Sequence, residues 1–247
     1  MTQFYEWTLA NRLSLNLDKT CILSVSNNNN PTNTPAVILN NETLHFVDNT
    51  KFLGVLLDHN LNCQKHISYI CSKISKSLGI LYKLQEFLPV TSLIGLYYTF
   101  VYPYLIYCIP VWGNTTENHL YPLIVLQKRI IRIINKKPFL YHTNDLFFEN
   151  EILKIHELYK FRTAVRLYKL NNFSQFQTNH AYNTRFRQQL RPTFERLTQT
   201  QRSINYRGPM IYNEIPEYIK NAENLCLFKK RLKRFYIDTY SPNSLTQ

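Results

Sequence analysis

Acidic side chains are the first place to look for phosphoryl-transfer chemistry, because a two-metal site needs carboxylates that hold two divalent ions about 4 Å apart. The five aspartates, Asp18, Asp48, Asp58, Asp145 and Asp238, are scattered through the chain, and none adjoins another acid. Glu149 and Glu151 are close, but at that offset a helix points them to different sides. Local spacing therefore supplies no two-metal site. For zinc, Cys63-x-x-His66 with Cys71 offers three ligands, two at ligand-like spacing, and a structural zinc wants four. Ile67 and Cys71 fall on the apolar face of the same stretch, so core packing or a helix-start contact also accounts for them. The other histidines have no Ser or Cys in a nucleophile setting, and the 5 glycines are too separated to form a phosphate loop.

Basic residues interleaved with aromatics are the strongest positive feature. The segment "LQKRIIRIINKK" (126–137) carries Lys128, Arg129, Arg132, Lys136 and Lys137 on one flank of a helical pattern. The segment "YNTRFRQQLRPTFERL" (182–197) interleaves Arg185, Arg187, Arg191 and Arg196 with Tyr182, Phe186 and Phe194. Such sets can hold phosphates and stack bases. A single basic helix is more often a solvated face, but several such patches on one chain point to nucleic acid. Lys73 and Lys76, on the polar side of an earlier helix, join the expected contacts.

The totals agree. With 29 Lys+Arg against 16 Asp+Glu, the formal charge is +13, which favours a polyanionic partner, nucleic acid first and an acidic membrane surface second. Aromatics make up 14% of the 247 residues, which excludes disorder by composition except locally. The 5 cysteines form no CxxC pair, a pattern that suits reduced, intracellular thiols. The first residues show neither a basic leader nor an apolar core, so no secretory or transit segment is expected. From Phe87 to Thr116 there is no charged residue, and a membrane span needs roughly 20 apolar residues. Pro103, Pro110 and five tyrosines within it argue instead for a buried helix that runs into an extended segment.

The elements that must position these residues follow from periodicity. Residues 2–15 predict a short amphipathic helix. Four short runs at 20–26, 36–40, 42–47 and 51–58 predict a small antiparallel sheet, with the Asn-rich stretch 27–34 as a loop. After Asn60 the pattern turns helical, with Ile67, Ile70, Ile74, Leu78, Leu81 and Leu84 on one face. A second helix starts near Thr91 or Ser92 and stops before Pro103, and a third covers Glu117–Asn135. Short loops should pack these three as a bundle. Residues 145–171 read as one further amphipathic helix, 172–208 as mostly loop, and the end as a short helix plus a final one.

The order of motifs is more specific than any one of them. "WTLANRLSLNLDKT" (7–20), "KFLGVLLDHNLNCQKHI" (51–67), "LYYTFVYPYLIYCIPVWG" (96–113) and "LQKRIIRII" (126–134) resemble the later part of a non-LTR (LINE-type, jockey-like) retrotransposon reverse transcriptase. The resemblance continues through "YHTNDLFFENEILKIHEL", "YNTRFRQQL" and "GPMIYNEIPEYIKN". It implies an α+β fold: a palm remnant over 1–62 with a primer-grip-like hairpin, a thumb-like helical bundle over 63–140, and a basic C-terminal region over 141–247. By the same resemblance Lys19 takes the place of a general acid for the departing pyrophosphate, and Phe52, Leu53 and Gly54 take that of the primer grip. An exposed lysine entering a strand is the plainer account of Lys19.

The implied partner is an RNA/DNA template–primer duplex, with no membrane contact, in an intracellular nuclear or cytoplasmic ribonucleoprotein. The Tyr-Ala-Asp-Asp-type element of such enzymes is expected to fall before Met1, so this chain is expected to hold no Mg2+ itself and to be inactive as a polymerase alone, as for a truncated copy or one piece of a split product. Two other expectations stand beside this one: a stand-alone basic nucleic-acid-binding protein, in which 51–67 would not form a hairpin beside the first helix, and a membrane-associated protein using 90–112.

Overall fold

A computed structural model describes residues 2–25, 36–39, 42–170, 190–192 and 194–241. The chain divides into two compact units, Met1–His66 and Ile67–Gln247. Its class is mixed α+β, with short two-stranded ladders early in the chain and helices after them.

The first unit opens with α1 (Thr2–Ala10) and a 3-10 turn at Leu17–Lys19. Among the described side chains of α1, Thr8 is buried while Trp7 and Leu9 face solvent, as does Leu13 beyond it, so the expected apolar stripe is not realised. The strands here are two to four residues long and offer no sheet face wide enough to receive one. β1 (Cys21–Ile22) pairs in parallel with β4 (His45–Phe46), β2 (Ile38–Leu39) pairs antiparallel with β3 (Glu42–Thr43), and β5 (Asn49–Phe52) pairs antiparallel with β6 (Val55–Asp58). Among the described residues, the expected antiparallel sheet is thus three separate two-stranded ladders, one of them parallel. A parallel pair needs a crossover of a dozen or more residues, and the stretch between Ile22 and His45 supplies it.

The β5–β6 hairpin closes through Leu53 and Gly54, both left-handed, at φ 44° and 83°. Two central residues with positive φ meet the condition of the hairpin turn whose twist matches its strands. Beyond Asp58 the chain turns sharply into helix. The buried Asp58 carboxylate accepts the Asn62 N–H at 3.0 Å, and the Asn62 side chain accepts the Gln64 N–H at 2.9 Å. Leu61 and Cys63 take left-handed φ values between them, and these two acceptors hold that strained corner in place. The helix that follows, α2 (Gln64–Leu84), begins in the first unit and continues in the second.

The second unit is helical among its described residues. α3 (Val90–Phe100), α4 (Tyr102–Ile106) and α5 (Ile109–Trp112) follow one another, where an extended segment is expected from the sequence. Pro103 and Pro110 each sit in the first turn of a helix, a position that lacks an N–H partner in any case, so both start helices rather than end them. α3 begins at Val90 after Pro89, one residue earlier than Thr91, and without a side-chain cap. α6 (Glu117–Ile134) buries Leu120, Leu123, Gln127, Ile130, Ile131 and Ile134 along one stripe.

The stretch read as one helix over 145–171 is two: α7 (Asn144–Glu149) and α8 (Ile155–Leu170). Asn150 separates them by donating its amide to the Leu146 carbonyl at 2.6 Å and to Asn135 at 3.0 Å, and Glu151 then turns left-handed at φ 50°. The 172–208 loop expectation also gives way after 197, to α9 (Thr198–Gln201) and α10 (Ile204–Asn213), followed by α11 (Glu217–Lys220) and α12 (Leu225–Asp238). α8 is the centre of this unit, packed against α4, α5, α10 and α12. It buries Leu158, Ala164, Val165 and Leu167, and Tyr168 stacks on Phe228 of α12 with ring centroids 4.0 Å apart. Among the described residues, no helix is long and apolar enough to cross a membrane.

Two glycines in this unit lie in opposite environments. Gly95, exposed in the middle of α3, has open space where a methyl would go, so Gly95→Ala is expected to raise stability by about 1 kcal/mol. At Gly113 a Cβ would lie 2.7 Å from the Ile109 carbonyl and 2.9 Å from the Tyr159 ring, so Gly113→Ala is expected to lower stability by about 1–3 kcal/mol. Urea unfolding of both variants checks the pair of signs.

Candidate nucleic-acid interface

The end of α6 decides where its cations point. Beyond Ile134, Asn135 caps the helix, Lys136 turns left-handed at φ 52°, and Lys137 folds back to donate its N–H to the Arg132 carbonyl at 2.9 Å, while the Lys136 N–H reaches Ile133 at 3.1 Å. Those two bonds form a Schellman turn, with a lysine where glycine is usual. The loop that follows is held by Arg132, whose Nε donates to the Tyr141 carbonyl at 2.8 Å. The Arg132 guanidinium then lies 5.8 Å from the Phe139 ring centroid, and Lys137 Nζ lies 5.1 Å from that of Tyr141. Each cation has an aromatic face under it, which favours a charge kept near the surface.

Together with α2 this corner encloses a groove of about 510 Å³, lined by Gly79 and Tyr82 from α2, Arg129 and Arg132 from α6, and Lys137 and Phe139 from the turn. That volume lies within the roughly 300–1,000 Å³ of small-molecule pockets. Leu78 and Ile133 add apolar lining, and no acid contributes to it. Tyr82 and Phe139 are exposed. Among the described residues, none of Lys128, Arg129, Arg132, Lys136 and Lys137 is in an ion pair.

Three residues expected to hold nucleic acid, Arg129, Arg132 and Lys137, are therefore brought together. Lys128 lies elsewhere on α6: with the burial of Lys154 itself, the charge of Lys128 helps to hold the Lys154 ammonium below its usual pKa. Lys136 is exposed at the turn, Lys76 is exposed on α2, and Lys73 lies 5.4 Å over the Tyr69 ring; none of the three lines the groove. Arg191 is exposed beside Leu190, whose backbone N–H and carbonyl both pair with Asn213. Arg185 and Arg187 lie outside the described residues. The basic final helix is partly neutralised: Lys233 and Arg234 approach Glu151 at 4.0 and 3.6 Å, and Arg234 pairs with Asp238 at 2.9 Å. Gly79, Tyr82 and Phe139 are not evident from sequence; their only trace is the step from Gly79 to Tyr82 along one side of α2.

In the first unit, Lys19 ends the 3-10 turn. Asn16 accepts the Lys19 N–H through its side chain at 3.1 Å, and Thr20 donates its hydroxyl to the Asn16 carbonyl at 2.8 Å. The Asn-x-x-Lys-Thr element thus has a local structural task, fixing a turn that leaves Lys19 exposed. Phe52 and Leu53 are exposed at the hairpin tip, and Gly54 supplies its second left-handed residue. The cysteine–histidine set does not converge. Cys63 is buried, His66 accepts the Leu56 N–H on Nδ1 at 3.3 Å, and among the described residues no three of His, Cys, Asp and Glu gather as a metal site.

No protein-family model and no solved structure matches the chain. Two curated proteins do. Over 169 residues, 67% of this chain, it is 28% identical to the RNA-directed DNA polymerase from mobile element jockey of Drosophila funebris, of which it covers 18%. Over 147 residues, 58% of the chain, it is 24% identical to the polymerase of the same name from Drosophila melanogaster, of which it covers 16%. The chain thus spans less than a fifth of these relatives, and the resemblance to jockey-like reverse transcriptases drawn from the ordered motifs is borne out as similarity to a part of them.

His66 gives the first unit a pH dependence. Burial lowers its pKa from 6.5, so the folded state holds the imidazole neutral, with Nδ1 free of a proton and able to accept from Leu56. Stability from this group is complete above pH 6.5 and is lost as the pH falls below it, because the unfolded chain binds the proton more readily. Replacing the imidazole by an apolar ring, in His66→Phe, leaves the Leu56 N–H unpaired and is expected to cost about 1–3 kcal/mol at neutral pH. The same change should flatten the stability profile below about pH 6.5. Denaturant midpoints across pH check both effects.

Proposed function

We propose that this chain is the palm-end and thumb portion of a reverse transcriptase of the non-LTR, jockey-like type, and that it grips a template–primer duplex through backbone phosphates. The observation that carries the proposal is the groove in which Arg129, Arg132 and Lys137 converge without an acid, in a chain similar to part of two RNA-directed DNA polymerases. Fixed cations at close spacing bind a phosphate backbone without regard to sequence and release its counterions. In this proposal residues 1–62 are the palm part, 63–140 the thumb and 141–247 a basic extension, with Phe52, Leu53 and Gly54 against the primer and Lys19 beside the departing pyrophosphate.

Magnesium belongs to the complete polymerase in this account, and the described residues do not fit it. The Asp58 carboxylate is engaged at the corner with Asn62, Asp238 pairs with Arg234, and among the described residues no three acids, histidines or cysteines gather as a metal site. No step through a metal is assigned to this chain. What its residues do is hold the duplex: charge in the groove for the phosphates, and an exposed hairpin tip for contact with a strand end.

Fluorescence anisotropy with a labelled RNA–DNA heteroduplex tests the proposal. The affinity is expected to fall linearly in a log–log plot against salt concentration, and Arg129→Ala and Lys137→Ala are each expected to reduce that slope by about one. An affinity indifferent to ionic strength would overturn it.

A further inference from the structure

The groove between α2 and the end of α6 holds more than charge. Phosphate binding alone needs only cations within reach of the backbone, whereas here the cations rim a concavity whose walls include two exposed rings, Tyr82 and Phe139. At Gly79, on the α2 wall, a Cβ would meet nothing within 4 Å, so that wall is open at this residue. Arg132 is engaged with Phe139 and with the Tyr141 carbonyl, which fixes the ring's neighbourhood. Arg129, one turn earlier on α6, has no ion-pair partner among the described residues.

We propose that this groove binds one unpaired nucleotide, its base against Tyr82 and Phe139 and its phosphates at Arg129 and Lys137. The proposal rests on the nucleic-acid reading above and adds a substrate form to it. Charge complementarity selects a polyanion over an apolar peptide. The rings select an unpaired strand over a duplex, because a base stacked within a helix has no free face to offer an aromatic side chain. Neither ring reads base edges, so the site tolerates any base.

The test compares three labelled probes on the full chain: a single strand of about a dozen nucleotides, an abasic strand of the same length and charge, and the RNA–DNA heteroduplex. The chain is expected to bind the base-bearing strand about tenfold tighter than the abasic one. Tyr82→Ala and Phe139→Ala should erase that preference by lowering the affinity for the base-bearing strand towards that of the abasic one, while Tyr82→Phe keeps it. Gly79→Leu, a non-aromatic side chain that starts in open space, should erase it by filling the groove. Both rings are exposed, so these variants are not expected to unfold, and thermal melting checks that. Equal affinity for base-bearing and abasic strands, or a preference that survives in the alanine and leucine variants, overturns the nucleotide site while salt-dependent heteroduplex binding leaves the broader function standing. Failure to bind any of the three probes overturns both.

Discussion

One buried amide fixes how α6 is turned about its own axis. Gln127 interrupts an otherwise apolar stripe, and its side-chain nitrogen donates to the Tyr97 hydroxyl at 3.2 Å and to the Leu153 carbonyl at 2.9 Å. Leaving a buried polar group unpaired costs about 1–3 kcal/mol, so a rotation of the helix that broke both bonds would be opposed twice. Burial pushes the Tyr97 hydroxyl well above its usual pKa, so it stays protonated and neutral in the core. With Gln127 held inward between α3 and the entry to α8, Arg129 and Arg132 fall on the opposite side. The direction of the positive charge is thus set by an interaction in the interior.

The helices were legible where one constraint acts at a time. Ile67, Ile70, Ile74 and Leu81 follow a helical step and are buried as that step requires. Prolines misled because their effect depends on position: at the first turn they begin a helix, and no local pattern distinguishes a chain that bends and restarts from one that stops. The break between α7 and α8 is set by Asn150 bonding to Asn135, the residue that caps α6, so the sequence around it reads as continuous. The parallel pairing of β1 with β4 likewise depends on the path between them rather than on either strand's residues.

The candidate site divided in the same way. Basic residues at 128–137 could be read as a set, but the turn at Lys136 brings Lys137 to Arg129 and Arg132, and the rotation of α6 leaves Lys128 outside the groove. Tyr82 could not be assigned because its place depends on which face of α2 meets α6, a tertiary fact. Cys63 and His66 show the converse. Their ligand-like spacing is accounted for by the corner after β6, where a left-handed backbone and an imidazole acceptor are needed.

The uneven neutralisation of the basic helices has a kinetic meaning. Glu151 and Asp238 offset part of the charge on α12, while the cations at the end of α6 have no such acid beside them among the described residues. The second unit therefore carries a lopsided electric field, and a field of that kind acts before any contact forms. It turns a diffusing molecule so that one side leads, raising the fraction of collisions that succeed. Glu151, which does not line the groove, would in this way help decide which side of the protein a polyanion meets first.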